Sequence, residues 1–365
     1  MKKIKYYLKN IAGWSTIRKI VVFESDDWGS ERVQSIRHYN DLLRKKIITD
    51  ENDYNKYDAL ETSEDLASLG SVLSKYSDRN GNSPVFNMYY ITSNPDYEKI
   101  IENNYETYED KLFTERLREL GDHESYFKCL NKYLESKVFS LAYHGREHLC
   151  VKPFFRLMKS GSHSIKKSID NSFHSIDHPS LPNKATCFRP SLFFSNIDEI
   201  PFIKDMLLDG IKKFKDIFKQ NPISFCPPNG ISCSEFDDLL FKNGIKAIVT
   251  QKIRYEPDGR NDFKKSYRLL NKKKHKIYLF RNCGFEPMHT KMNVEFCINQ
   301  IEAAFVMKKP AIISTHRLNY NGSINPEYRR KGLAHLERLL SEVTKKWKNV
   351  EFVSTAELVK IMSSK

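Results

Sequence analysis

Residues 20–29 read Ile-Val-Val-Phe-Glu-Ser-Asp-Asp-Trp-Gly, an apolar run that ends in two adjacent carboxylates and a glycine. A short run of β-branched and aromatic residues is typical of a buried parallel strand. The acidic pair comes directly after it, at the point where the strand gives way to a loop. Because parallel α/β folds build their sites at the carboxyl ends of strands, this stretch predicts both a fold class and one wall of a site.

The rest of the chain repeats the alternation of apolar strands and amphipathic helices. Strands are predicted over 84–92, 138–143, 223–225, 246–250, 276–280, 311–315 and 350–353. Helices are predicted over 31–46, 62–77, 122–136, 197–219, 234–243, 291–308, 328–347 and from 355. Residues 159–185, dense in Ser, Lys, His and Asn, are interpreted as a loop insertion, and 251–275 as irregular. The alternation predicts an α/β fold with a parallel sheet or barrel.

Composition excludes several classes of protein. The chain has 365 residues, of which 40% are apolar, with Gly and Pro at 14 each, which excludes collagen-like, low-complexity and wholly disordered chains. No run of about 18 apolar residues is present, so no membrane-spanning helix is expected. The net charge of +14 suits nucleic acid, an anionic lipid surface or an acidic glycan, or is a solvated basic surface.

Cysteine spacing and the amino terminus bear on the compartment. The cysteines are scattered singly, without a Cys-x-x-Cys pair, which favours reduced thiols and an intracellular protein. The basic start, Met-Lys-Lys-Ile-Lys-Tyr-Tyr-Leu-Lys, lacks the apolar core of a secretory signal. We therefore expect a cytoplasmic protein, with peripheral contact at the inner membrane surface as the alternative.

Polar clusters follow four of the predicted strands. They are Asp26-Asp27, His144 with His148, Pro227-Pro228-Asn229, and His316. Because the carboxyl ends of parallel strands share one edge of a sheet, we expect these groups to meet there. Their common position carries more weight than any one motif.

Two of these clusters contain candidate metal ligands. His144 and His148 are spaced i, i+4, which on a helical turn places both imidazoles on one face. With one carboxylate of the acidic pair they would form a facial triad suited to Zn²⁺, Co²⁺, Mn²⁺, Ni²⁺ or Fe²⁺. The second carboxylate would remain free to accept a proton. The alternatives are a helix-capping acidic pair and two ordinary histidines.

His316 suits proton donation to a leaving group, and its alternative is a buried, hydrogen-bonded histidine. His163, His174 and His178 are interpreted as solvated loop residues. Neither a nucleotide-binding glycine motif nor a Gly-x-Ser-x-Gly motif is present.

Read in order, the clusters resemble the motifs of the polysaccharide deacetylases, the NodB-homology group. Residues 23–29 resemble the first motif, Thr-Phe-Asp-Asp-Gly, and 144–148, His-Gly-Arg-Glu-His, resemble the second, His-(Ser/Thr)-x-x-His. Residues 225–230, Phe-Cys-Pro-Pro-Asn-Gly, resemble the third motif, and 312–316, Ile-Ile-Ser-Thr-His, resemble the last. A divergent bacterial polysaccharide (de)acetylase subgroup is more similar still.

The resemblance implies a fold, a cofactor and a set of roles. It implies one domain over 1–365, with a distorted, seven-stranded (β/α) barrel over about 19–360 and one divalent metal, zinc in the first instance. Asp27, His144 and His148 would hold the metal, Asp26 would be the general base, and His316 the general acid. The substrate-binding or supporting residues would be Trp28, Pro228, Asn229, Arg281 and Arg317.

Three positions depart from the family pattern. Gly145 replaces a Ser or Thr of the second motif, and Cys226 replaces the third-motif Arg that pairs with the base. Without that partner, burial would raise the pKa of Asp26. Arg281, which ends a strand, is our first candidate for the missing charge, ahead of Arg189 and Arg317. No clear fourth motif is present, although Glu286 lies at about its place.

The leading hypothesis is a metal-dependent hydrolase that removes an acetyl group from an N-acetylated sugar of a surface glycan or its precursor. The carbohydrate partner would be anionic or lipid-linked, and no nucleic acid is expected. A second hypothesis keeps the metal but cleaves an O-acetyl ester or a non-sugar amide. A third is a non-catalytic basic barrel that binds glycan or nucleic acid.

Overall fold

The computed structural model describes residues 4–49, 52–273 and 276–364. Its strands, in chain order, are β1 Lys19–Trp28, β2 Phe86–Ile91, β3 Ser93–Pro95, β4 Asp110–Leu112, β5 Phe139–Gly145, β6 Ser224–Phe225, β7 Ala247–Val249, β8 Ile253–Pro257, β9 Phe263–Tyr267, β10 Lys272–Lys273, β11 Lys276–Leu279, β12 Cys283–Gly284, β13 Ala311–His316 and β14 Val350–Phe352.

Helices connect most of these strands. They are α1 Ile4–Lys9, α2 Ile36–Arg44, α3 Asp53–Tyr57, α4 Ser63–Leu73, α5 Tyr97–Glu102, α6 Phe113–Glu119, α7 His123–Glu135, α8 Val151–Lys159, α9 His163–Ile169, α10 Ile200–Phe218, α11 Ser234–Lys242, α12 Val294–Val306, α13 Pro326–Lys346 and α14 Thr355–Ser363. Short 3₁₀ turns cover Ile197–Glu199, Pro228–Gly230 and Arg317–Tyr320. Among the described residues, none of the helices is both long and apolar enough to cross a bilayer.

One parallel sheet organises the molecule. Its hydrogen-bonded order is β11-β7-β6-β5-β2-β1-β13-β12, with β10 antiparallel at one edge and β14 beside the start of β1. The α/β class predicted from the sequence is therefore confirmed. The expected count of seven strands is wrong, because among the described residues this parallel path contains eight strands and forms a curled half-barrel.

The curl follows from the connection between the two ends of the path. Strand β11 ends at Leu279 and β12 begins at Cys283, so the first and last strands of the parallel path are consecutive along the chain. Four Cα steps of about 3.8 Å span at most about 15 Å, so the sheet must bend until its edges nearly meet. Residues 280–282 bridge the gap between them.

Alternation along β1 assigns its side chains to two layers. Ile20 and Val22 belong to an apolar cluster shared with the other strands, on the concave face. Val21 and Phe23 belong to the large cluster that packs against the outer helices. Because strand side chains alternate between faces, Glu24 and Asp26 follow Ile20 and Val22 toward the concave side.

Two segments differ from the sequence-based interpretation. The stretch 159–185 is not a simple loop: it contains α9, and Ile165, Ile169 and Phe173 pack into a second apolar cluster. His174 is buried rather than solvated, because it belongs to this packed segment. Residues 253–267 form the antiparallel hairpin β8–β9 rather than an irregular stretch.

Candidate active site

A cavity of about 1250 Å³ lies at the carboxyl ends of the parallel strands. The predicted acids and histidines line it together: Asp26, Asp27, His144, His148 and His316. The segments 9–14 and 175–177 contribute further lining residues. The expectation that the strand ends converge on one place agrees with this geometry.

A β-bulge brings both carboxylates to the cavity. The β1–β2 pairing advances from Ser25 opposite Met88 to Trp28 opposite Tyr90, so β1 carries one extra residue. Asp27 takes a positive φ of 72° within this bulge. Bulges re-aim side chains next to sites, and here Asp27 turns toward the cavity that Asp26 already faces.

A second bulge positions the histidines. The β2–β5 pairing moves from Tyr90 opposite Tyr143 to Ile91 opposite Gly145, which leaves His144 as the extra residue. Gly145 has a φ of 127°, a backbone conformation that a Ser or Thr would adopt only with strain. His148 lies in the bend after β5 rather than on a helical turn. The two histidines therefore share a site, as predicted, but the predicted helical spacing is wrong.

Asp27, His144 and His148 form a buried cluster whose ligand atoms all lie within 4.8 Å of one another. His144 Nδ1 lies 2.7 Å from the Cys226 carbonyl, and His148 Nδ1 lies 2.8 Å from the Arg189 carbonyl. These carbonyl acceptors assign the ring proton to Nδ1 of each histidine.

The Nε2 lone pairs therefore face the cavity. The Nε2 atoms of His144 and His148 lie 3.2 and 3.0 Å, respectively, from Asp27 Oδ1. Three electron-pair donors that converge in this way fit a divalent cation, for which one oxygen and two imidazole nitrogens are a suitable set.

Electrostatics prepare these ligands for a cation. Burial would raise the pKa of Asp27, but the nearby His148, His144 and Arg189 hold it well below its usual range. Burial and the Arg189 charge lower the pKa of His148 to about 4, so this ligand is neutral at physiological pH. Deprotonated ligands are the form that binds metal.

Arg281 lies against the other carboxylate. Its Nη1 and Nη2 lie 2.5 and 2.7 Å from the two oxygens of Asp26, and its Nε lies 2.7 Å from Glu24. Burial alone would raise the pKa of Asp26, but the Arg281 guanidinium, with His144 and His316, lowers it overall. The Cys226 thiol is 3.7 Å from Asp26, and burial raises its pKa well above the ordinary value, so it adds no charge.

His316 is paired with a buried acid. Its Nδ1 lies 2.6 Å from Glu286 Oε1, and Glu286 also accepts a hydrogen bond from Asn319. Burial would lower the pKa of His316, but Glu286 outweighs it and raises the pKa to about 10. The side chain is 31% exposed, and the Tyr54 ring lies edge-on to it. The imidazole is therefore a protonated donor at the cavity surface.

Some of the expected substrate-binding residues lie elsewhere. Trp28 is fully buried on the outer layer, where its Nε1 donates to Ser25, so it does not face the cavity. Because the bulge turns Asp27 inward, the next residue returns to the outer face. Pro228 is buried beside Gly145, whereas Asn229 is exposed and lines the cavity.

Arg317 is also withdrawn from the cavity. It is fully buried, and its guanidinium pairs with Asp58 and Glu61 rather than with Asp26. Glu61 in turn accepts hydrogen bonds from the Gly29 backbone and the Tyr126 hydroxyl. Arg317 therefore fixes the loop that follows β1 from beneath, and it has no surface with which to touch a substrate.

Sequence reasoning missed two residues of the site, one beneath the cavity and one that lines it. Glu24 is fully buried and accepts a hydrogen bond from Arg281. An acidic residue within an otherwise apolar strand could have indicated this role from the sequence. Arg32 lines the cavity from the loop after β1. Its position depends on contacts with Asp58 and Tyr54, which the sequence around Arg32 does not predict.

The fold and the site define an α/β half-barrel with a buried Asp-His-His cluster at its strand ends. No family model and no curated protein sequence matches the chain. It is similar to the solved structure of a 4-α-glucanotransferase from Thermococcus litoralis, at 10% identity and a TM-score of 0.45, over 94% of this chain and 40% of that one.

A further solved structure that is similar is described as a probable polysaccharide deacetylase from Pseudomonas aeruginosa PAO1. The identity is 10% and the TM-score 0.44, over 96% of this chain and 92% of that one. An allantoinase, Puue, gives 10% identity and a TM-score of 0.44 over the same shares. Likeness at this level does not transfer an activity, so the function must be argued from the site.

Proposed function

We propose that this protein is a metal-dependent hydrolase that removes the acetyl group from an N-acetylated sugar of a surface glycan or its precursor. The observation that carries the proposal is the arrangement of three groups in one cavity. A cation-binding cluster of Asp27, His144 and His148 lies beside an ionised Asp26 and a protonated His316. An acyl hydrolase needs an electrophilic centre, a base and an acid together.

Each of these residues has a defined task in the proposal. A divalent cation held by the cluster, zinc first and Co, Mn, Ni or Fe as alternatives, would polarise the acyl carbonyl and acidify water. Asp26, kept ionised and oriented by Arg281, takes the proton of the attacking water. His316, kept protonated by Glu286, donates a proton to the departing sugar nitrogen.

The state of His316 favours an amide over an ester as the bond that is cleaved. An amine is a poor leaving group unless it is protonated, and general-acid assistance of this kind contributes about 10²- to 10⁴-fold. An alkoxide leaves an ester more readily. A histidine whose pKa is about 10 supplies that proton throughout the physiological range.

Basic residues of the cavity and exposed apolar residues of the amino-terminal segment bear on the form of the substrate. Lys9, Lys252 and Lys309 line the cavity, where Lys252 and Lys309 also donate to backbone carbonyls within residues 9–13. Ile4, Leu8 and Ile11 are exposed on or next to the amino-terminal helix α1. Basic and apolar groups together suit an anionic or lipid-linked sugar at a membrane surface. We propose a cytoplasmic enzyme that works on such a precursor, with 1–365 as one catalytic unit.

Acetate release tests this function. The purified protein is assayed for bound metal and then offered chitooligosaccharides and UDP-N-acetylglucosamine, with and without a chelator. Asp26→Asn should lower acetate release about 10²- to 10⁴-fold, whereas the exposed Asp198→Asn should match the wild type. Full activity in Asp26→Asn would remove the assigned base.

The same assay separates the competing readings. His316→Ala should impair N-acetyl release far more than O-acetyl release, because only the amide needs a protonated leaving group. Release from esters or non-sugar amides alone would favour the second hypothesis. Nucleic-acid binding with a steep salt dependence and no bound metal would favour a binding protein instead.

A further inference from the structure

Arg189 presents buried donors that no described residue accepts. The residue is 3% exposed, and neither Nη1 nor Nη2 makes a hydrogen bond to the described part of the chain. The nearest acid is Asp27, whose Oδ2 is 3.6 Å from Nη2, beyond hydrogen-bond distance. Buried polar groups are nearly always hydrogen-bonded, so two donors of one buried side chain without an acceptor are unusual even with an acid at ion-pair distance. Arg189 also lines the cavity.

Arg32 also lines the cavity, and its buried Nε makes no hydrogen bond to the described residues. Its side chain is 10% exposed and lies 4.6 Å over the Tyr54 ring, and its Nε is 3.4 Å from Asp58 without a hydrogen bond. Asp58 is already paired with the fully buried Arg317. Burial and the charge of Arg189 lower the pKa of Arg32 to about 10. Arg189 and Arg32 thus line one cavity, each with at least one buried donor that the described residues do not accept.

A cation bound to Asp27, His144 and His148 would increase the excess of positive charge around Arg189. Asp27 is the acid nearest to Arg189, and a cation on Asp27 would take up its negative charge. The cavity would then hold Arg189 beside the metal with two donors that no described residue accepts, and Arg32 with one such donor next to an Asp58 already paired with Arg317. Arginine guanidinium groups bind carboxylate and phosphate through two parallel hydrogen bonds.

We propose that Arg32 and Arg189 form a subsite for an oxyanion, a phosphate or a carboxylate, carried by the substrate close to its acetamido group. This inference rests on the proposed function for the identity of the substrate, but the binding of an anion does not depend on it. With this subsite, the preferred substrate is an acidic N-acetylated amino sugar rather than a neutral one.

Calorimetric titration of the metal-loaded protein with inorganic phosphate tests the subsite directly. Arg189→Gln and Arg32→Gln should each weaken phosphate binding about 10- to 100-fold, the loss expected for a charged hydrogen-bonded pair. Arg44→Gln, a change of the same kind at an exposed residue paired with Asp41, should bind as the wild type does. Equal affinities in all four proteins would overturn the proposal.

Two controls separate anion binding from damage to the site. The metal content of Arg189→Gln should equal or exceed that of the wild type, because the change removes a positive charge beside Asp27. Arg189→Lys keeps the charge but loses the two-pronged geometry, so its affinity should fall between those of Arg189→Gln and the wild type. Arg189→Lys binding no better than Arg189→Gln, with both metal-loaded, would contradict the assignment.

A substrate comparison then identifies the anion. Acetate release is measured from N-acetylglucosamine, N-acetylglucosamine 1-phosphate and N-acetylmuramate. A kcat/KM preference for either acidic sugar that disappears in Arg32→Gln and Arg189→Gln supports the subsite and names its group. A preference for the neutral sugar that both variants retain would overturn it. If no compound is hydrolysed, the hydrolase proposal fails, whereas the phosphate titration still decides the subsite.

Discussion

The guanidinium of Arg281 forms a two-point ion pair with the carboxylate of Asp26, from a position 255 residues further along the chain. Arg281 lies in the bridge 280–282 that joins the last strand of one sheet edge to the first strand of the other. The segment that brings the half-barrel edges together thus also supplies the positive charge that is missing after β6, where Cys226 replaces the third-motif Arg. The inward alternation that begins at Ile20 places Asp26 on the concave side, where Arg281 reaches it from the bridge.

We predict that Arg281→Gln lowers kcat/KM about 10²- to 10³-fold, because Asp26 loses both its orientation and its neighbouring charge. Asp26 is an active base only when ionised, so activity exists above its pKa. Without Arg281, burial raises that pKa, and the acid limb of the pH–rate profile should move to higher pH. The exposed Arg330→Gln provides the matched control. An acid limb that does not move would contradict the assignment.

Glu286→Gln should narrow the pH range of activity at its alkaline end. His316 donates a proton only below its own pKa, which Glu286 raises to about 10. Without the carboxylate, that pKa should fall to or below the ordinary histidine value of about 6.5. The alkaline limb of kcat/KM should therefore shift down by several pH units, while activity at low pH changes less. The exposed Glu327→Gln should keep the original profile, and an unmoved limb in Glu286→Gln would remove the proposed pairing.

Much of the fold was predictable because strand alternation and helix capping are local. The run that begins at Ile20 predicts the correct strand, and Thr62, where the helix predicted over 62–77 begins, caps that helix through a reciprocal contact with Asp65. The polar strand ends were predictable for the same reason, since parallel strands share an edge. Even the choice of Arg281 as a partner for Asp26 followed from its place at a strand end.

What could not be predicted depends on backbone irregularity and on distant contacts. The bulge at Asp27 reverses the alternation after one residue, and this is why Trp28 lies in the outer core instead of the cavity. Prediction from strict two-residue alternation of side chains cannot locate an extra residue in a strand. The sequence predicts Arg317 as a substrate-binding or supporting residue, yet Asp58 and Glu61, more than 250 positions away, hold it outside the cavity.

The metal cluster gives a prediction that is independent of any substrate. His144→Ala and His148→Ala should each lose most of their bound metal, because a three-ligand site that keeps two protein ligands binds a cation weakly. Elemental analysis of the dialysed proteins measures this. Added Zn²⁺ should raise the melting temperature of the wild type by mass action but not that of the variants. His163→Ala, at an exposed position on α9, should retain its metal, and retention by all three variants would exclude the cluster.

Arg317→Met should destabilise the fold rather than alter substrate selection. The change leaves Glu61 buried without its cation and Asp58 with only the more distant Arg32, and loss of one partner from a buried ion pair costs about 3–5 kcal/mol. The 2.6 Å hydrogen bond from Arg317 to the Ser30 carbonyl would be lost as well. Urea unfolding should show a lower midpoint with an unchanged slope, and the fraction that remains folded should keep the wild-type KM. The exposed Arg330→Gln should unfold as the wild type does. A raised KM with wild-type stability would instead return Arg317 to the substrate, against its complete burial.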